Sequence, residues 1–310
     1  MKYREFLGVD FSLISFGTAT FVEGKYSKHA NSLEGIRTLR CALIEGINTI
    51  HINMDLGTAW GVREALGDPI VLEDLSKHNK QLNIILKVKL RNKDTDISEI
   101  VRSAGRIVSN LFEDTIKDTR IETNLVIEYE VKDPSLNTFS RVLPFLNKAT
   151  LELRDYVPET VRKLIPSVWI SSASHLNALL VNKHVTLAIT KFSLLDSWVA
   201  GYLDTLLDEG IKLIAVRPLA KGVLTDERSE HNEELRSLLE SIAKHYGIAS
   251  YLPLQITALR FVVSHPSVLT ATVGVSKVKH LYEILATLNA FIDKETFSRI
   301  VAVLPRSSPS

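Results

Sequence analysis

Cysteine is almost missing from this chain: Cys41 stands alone among 310 residues. One thiol cannot close an intramolecular disulfide, and no Cys/His spacing around it suits a tetrahedral metal, so neither a disulfide scaffold nor a metal site is expected. A reducing compartment, the cytoplasm, fits that usage. Charge of one sign is also lacking. Thirty-seven Lys and Arg meet 36 Asp and Glu, for a formal net charge of +1, which gives no field to draw nucleic acid or an anionic membrane surface. Long apolar runs are absent too. No uncharged stretch approaches the roughly 18 residues of a spanning helix, and the opening "MKYREFLGVDF" carries charges where a signal peptide needs apolar residues. Nor does a "GxGxxG" follow the first apolar run, which counts against an open doubly wound sheet, the main alternative fold.

What is present is a rhythm. Eight β-branched runs recur at 13–18, 48–53, 83–90, 124–130, 167–173, 185–192, 211–219 and 269–276. Amphipathic stretches separate them, such as "SLEGIRTLRCALIEG", with a serine cap and a closing Gly46, and "NEELRSLLESIAKHYG" before Gly247. Parallel strands need crossover helices and a closed sheet leaves no edges, so eight strands in about 300 residues predict an α/β fold, a (β/α)8 TIM barrel in one domain over 1–310. Four prolines between 133 and 166 (Pro134, Pro144, Pro158, Pro166) predict an irregular fourth crossover, and the polar tail 305–310 is expected to fray.

Several of these stretches resemble the aldo-keto reductase family. "MKYREFLGVDFSLISFGTAT" is similar to its opening hairpin and first strand, "LRCALIEGINTI" to its first helix and second strand, and "WGVREALG" to a helix start. "GIKLIAVRPLAKGVLT" is similar to its seventh strand and "GVSKVKHL" to its phosphate-binding loop after strand eight. The resemblance implies hydride transfer between a nicotinamide, NADP, and a carbonyl, using an Asp, Tyr, Lys and His at strand ends. Here the aspartate falls on His51, the tyrosine on Leu56 and the lysine on Lys87, while the histidine falls on Tyr129, or on Glu130 in a register shifted by one. A leucine cannot donate a proton, and a positioned general acid contributes about 10² to 10⁴ in rate. Lys87, without the usual carboxylate, would look to Asp55, Glu128 or Glu130.

For the cofactor, the resemblance places Gly17 and Thr18 beside the nicotinamide, a carboxamide clamp at Ser171, Ser172 and Ile189, a stacking position at Val216, and a phosphate loop at Gly274, Ser276 and Lys277. His280 and Ile284 fall where the family keeps later basic and amide groups. Arg217 and Lys221 could add positive charge at that face, and Trp60, Trp198 and Tyr202 are placed near strand ends. Because acid, carboxylate, clamp and stacking ring are replaced together, the expectation is a barrel without conventional carbonyl reductase activity: a pseudoenzyme, scaffold or ligand-sensing subunit, with a small-molecule, nucleotide or protein partner. The alternative is an NADPH-dependent oxidoreductase whose proton donor is Tyr129 with Lys87, assisted by His51.

Overall fold

The computed structural model describes residues 1–22, 32–53, 58–77, 81–90, 96–112, 121–131, 135–225 and 254–304. A hairpin comes first: β1 (Tyr3–Phe6) pairs antiparallel with β2 (Val9–Ser12). Its two-residue turn has Leu7 at φ 54° and Gly8 at φ 71°, the positive-φ pair that matches the twist of a tight hairpin. Eight strands then close a parallel barrel: β3 (Ile14–Gly17), β4 (Thr49–Ile52), β5 (Leu82–Leu90), β6 (Thr123–Val131), β7 (Val161–Trp169), β8 (Leu187–Lys191), β9 (Lys212–Val216) and β10 (Val268–Val273), with β10 beside both β9 and β3. All eight predicted strands are there. The described helices around it are α1 (Ser32–Ile44), α2 (Ala59–Leu66), α3 (Pro69–Lys77), α4 (Ile97–Leu111), α5 (Leu136–Glu152), α6 (Ala173–Asn182), α7 (Leu203–Asp208), α8 (Leu254–Ser264), α9 (Val278–Ala286) and α10 (Lys294–Val303). The predicted helix at 232–247 and the tail 305–310 lie outside the described residues.

The fourth crossover corrects the expectation of irregularity. It holds a 17-residue helix, α5, with Pro144 inside it. A mid-helix proline costs about 3 kcal/mol, but Phe139, Val142, Leu143, Leu146, Ala149 and Thr150 are buried at helical spacing, and that packing outweighs one lost backbone bond. Ser135 caps the helix by accepting from Thr138 N. Pro166 is also accommodated, inside β7, because β7 pairs with β8 only at Val168 and Trp169 and leaves the proline without a partner on that side.

Strand alternation builds the barrel in layers. At the floor, Asn83 and Asn124 on adjacent strands are joined side chain to side chain at 2.9 Å, and Asn48 and Asn83 both donate to the Asp10 carbonyl of the hairpin at 2.8 Å. Above them Ile85, Val126, Ile165, Leu187, Ile189, Ile214 and Leu269 pack with Phe6, Val9 and Phe11 from the hairpin. The hairpin is fastened by Arg4, which donates to the carbonyls of Val263 (2.7 Å), His265 (2.9 Å) and Val268. Burial lowers the Arg4 guanidinium to about 10. With the underside filled, the open end is the carboxyl-terminal mouth, where Lys87 lies two residues beyond Ile85, and Glu128 two beyond Val126.

Candidate functional site

A cavity of about 520 Å³ occupies that mouth. Its inner end is made by His51, Asn53, Lys87, Glu128 and Trp169, and its outer part by the segments after β3, β9 and β10. The size suits a small ligand or part of a dinucleotide.

The inner end is an ionic network. Glu128 is fully buried. Its Oε2 lies 2.6 Å from His51 Nε2, and its Oε1 3.6 Å from Lys87 Nζ. Lys87 Nζ also reaches Glu130 at 3.0 Å and sits 4.9 Å from the centre of the Trp169 ring. Burial pushes the Glu128 carboxyl up, but His51 and Lys87 together outweigh it and hold the group below the usual carboxylate range. On its other side His51 Nδ1 meets Thr272 Oγ1 at 3.2 Å, and Thr272 Oγ1 meets Ser15 Oγ at 2.8 Å. A continuous path of polar groups thus crosses the mouth from β3 through β10, β4 and β6 to β5.

Lys87 meets two of the three carboxylates named for it, Glu128 and Glu130 on the neighbouring strand, and one expectation about this end is corrected. Tyr129 does not face the cavity. It is fully buried on the outer side of β6, with its hydroxyl 3.0 Å from Thr150 Oγ1 of α5, and burial raises its pKa far above an ordinary phenol. Alternation decides the matter, because Glu128 and Glu130 share one side of the strand and Tyr129 takes the other. Around Lys87, the imidazole and the carboxylate have in effect exchanged strands relative to the order implied by the resemblance. Glu128, expected only as an anion for Lys87, also meets His51, and its parity with Asn124 and Val126 is what turns it toward the mouth. Asp55 and Leu56 lie outside the described residues.

The outer part is more basic. Gly17, Thr18 and Thr20 line it, with Val216 at the end of β9, Arg217 and Lys221 after it, Gly274 and Ser276 after β10, and Lys279, His280 and Glu283 on the first turns of α9. Lys277 instead occupies the cap position of α9, is exposed, and is not among the lining residues. Residues 279, 280 and 283 share a face of α9, whereas 276 and 277 precede the helix. Arg217, Ala220 and Lys221 all have positive φ (57°, 47° and 59°), a concentration of costly backbone in one loop of the site. A Cβ on Gly274 would lie 2.9 Å from Thr20 Cγ2, so the two loops meet only because that residue is glycine.

The remaining sequence candidates have structural places. Ser172 caps α6 by accepting from His175 N, and Ser171 Oγ lies 3.2 Å from His175 Nδ1; neither lines the cavity. Ile189 is buried in the apolar layer. Trp60 is exposed on α2, and Trp198 packs edge-on to Tyr202 at 6.3 Å. Among the described residues no group of three or more His, Cys, Asp or Glu is arranged to hold a metal, and no helix is long and apolar enough to cross a membrane.

A closed parallel barrel, a hairpin under its floor and a polar cavity over the strand ends define a (β/α)8 barrel with a cavity at its mouth. The fold is the one the aldo-keto reductases have: the aldo/keto reductase family model matches residues 182–305, and the barrel expected from the resemblance is borne out. Aldo-keto reductase AKR11C1 from Bacillus halodurans, in its holo form, superposes with a TM-score of 0.70 at 15% identity, over 99% of this chain and 98% of that one. An aldo/keto reductase from Klebsiella pneumoniae, in complex with NADP and acetate, gives 0.63 at 15% identity, over 97% and 94%. The glycerol dehydrogenase AKR11B4 from Gluconobacter oxydans gives 0.66 at 16%, over 99% and 97%. No curated protein matches the chain.

Proposed function

We propose that this barrel binds a phosphorylated nucleotide, NADP, in the mouth cavity, and that it senses or carries this ligand rather than reducing carbonyls by the conventional route. The observation that carries the reading is the division of the cavity: a basic outer part beside an inner end whose ionic groups already bind one another. Arg217, Lys221, Lys279 and His280, with the Ser276 hydroxyl, form a donor set suited to phosphate oxygens. The same fold holds NADP in the Klebsiella pneumoniae enzyme, which supports the choice of ligand. Val216 and Ile189 provide neither an aromatic face nor an amide donor, so the nicotinamide end is held more weakly than the phosphates.

Reduced nicotinamide, when bound, would supply hydride, and a carbonyl acceptor would then require a proton from a side chain of the cavity. Among the described residues no tyrosine lines the cavity. Lys87 is held by Glu130 and Glu128, and both nitrogens of His51 are engaged. These contacts support binding without ordinary turnover.

Calorimetric titration with NADPH and NADH, followed by a turnover assay on a simple aldehyde, tests the reading. The expected result is saturable NADPH binding with oxidation slower by about 10² to 10⁴ than in a reductase with a positioned acid. Steady oxidation at about 1 to 10³ per second, or no binding, overturns it.

A further inference from the structure

We infer that Thr272, His51 and Glu128 form an activated-hydroxyl site able to accept an acyl group from a small carboxylic ester. The three groups stand in the order that nucleophilic catalysis requires: a hydroxyl against one ring nitrogen, and a carboxylate against the other. Thr272 Oγ1 is 3.2 Å from His51 Nδ1, and His51 Nε2 is 2.6 Å from Glu128 Oε2. All three residues line the cavity, and Thr272 is partly exposed to it.

The direction of the hydrogen bonds follows from Glu128. Its carboxyl is held below the usual range and carries no proton at neutral pH, and its negative Oε2, 2.6 Å from His51 Nε2, favours the tautomer with the proton on Nε2. In the neutral ring Nδ1 is then bare, and the hydroxyl that meets it must donate. Thr272 Oγ1 retains lone pairs for Ser15, whose Oγ lies 2.8 Å away and whose O–H stabilises negative charge that develops on the threonine oxygen. The threonine is also fixed in rotation. A Cβ on Gly17 would lie 3.0 Å from Thr272 Cγ2, so the methyl is seated against glycine backbone and the hydroxyl is turned toward the ring.

In the step, Thr272 Oγ1 bonds to the ester carbonyl carbon as its proton passes to His51 Nδ1. The tetrahedral species then breaks its bond to the alcohol oxygen, which leaves with that proton. The products are an acyl-threonine and the free alcohol, and attack by water, with His51 again taking the proton, returns the hydroxyl. Glu128 touches no reacting atom and acts as a positioning residue. The site needs no nucleotide, so its test is independent of the nucleotide reading.

The full chain without added nucleotide, incubated with 4-nitrophenyl acetate, tests the inference by peptide mass spectrometry and release of nitrophenol. The expected result is one acetyl group on the peptide bearing Thr272, retained in Thr272→Ser, lost in Thr272→Val, and formed about 10² to 10⁴ more slowly in His51→Gln. In Glu128→Gln the pH midpoint of labelling moves to lower pH, because a neutral amide no longer favours the imidazolium; a purely structural role would leave the midpoint in place. Acetyl found only on lysines, including Lys87, or labelling of Thr272 that persists unchanged in His51→Gln, overturns the inference. Circular dichroism of each variant confirms that it is folded, and Thr272→Ser, the mildest change, keeps the test decisive if Glu128→Gln does not fold.

Discussion

Replacing Glu128 by glutamine keeps the shape of the side chain and removes the charge that joins the inner end of the cavity. Breaking a buried ion pair by deleting one partner costs about 3–5 kcal/mol. Here the lower end applies, because Lys87 is not stranded: it keeps Glu130 at 3.0 Å. A loss of about 3 kcal/mol is therefore expected. At about 2–4 °C per kcal/mol for chains of this order of size, the midpoint of thermal unfolding should fall by roughly 6–12 °C. The control is Glu130→Gln, whose side chain is 27% exposed against 0% for Glu128; a rim pair of that kind is worth about 0–1 kcal/mol. Urea unfolding of both variants at pH 7, followed by tryptophan fluorescence and circular dichroism, separates the two. The reasoning fails if Glu128→Gln lies within about 0.5 kcal/mol of the parent, the range of ordinary surface substitutions, or if Glu130→Gln costs more.

Three further outcomes are expected. Because the folded Glu128 carboxyl is held below its unfolded value, its contribution is fully present above the unfolded carboxylate range, about pH 4. It is lost as the pH falls through the folded value, so the stability gap between parent and Glu128→Gln should narrow below about pH 4 in acid titrations. Tyr129→Phe should cost about 1 kcal/mol in urea unfolding, since Thr150 keeps its own bond to the Leu146 carbonyl, and should leave NADPH affinity unchanged. By calorimetry Lys279→Ala should weaken NADPH binding several-fold and flatten its salt dependence, whereas Lys277→Ala should do neither.

Strand count and barrel closure were legible from β-branched runs alternating with capped helices, whereas the hairpin followed from the resemblance alone, and its Leu7–Gly8 corner shows only in the backbone angles. The fifth strand was read late, starting at 167 rather than Val161, because Pro166 looks like a terminator when the missing partner on its β8 side is not known. The fourth crossover was misjudged for a related reason, since Pro144 is tolerated through tertiary packing that no local rule contains. At the site, Lys87 and His51 were found from their place at strand ends. Tyr129, or Glu130 in a register shifted by one, followed from the resemblance, and the run alone does not say which parity faces inward; Asn124, the inward residue at the floor, settles it. Lys277 was named from the loop pattern, but it is the extended cap before α9 and is not a lining residue, whereas Lys279 on the first turn is. Thr272 gave no signal at all, as a threonine in a β-branched run looks like any other strand residue.

The aromatic and aliphatic plug beneath the strands has a consequence for traffic. A vessel sealed below fills and empties through one rim, so an arriving ligand must wait for the departing one. Exchange would then be timed by the loops after β3, β9 and β10, and a substitution in the β9 loop could change how long an occupant stays without touching the ionic groups at the bottom of the cup.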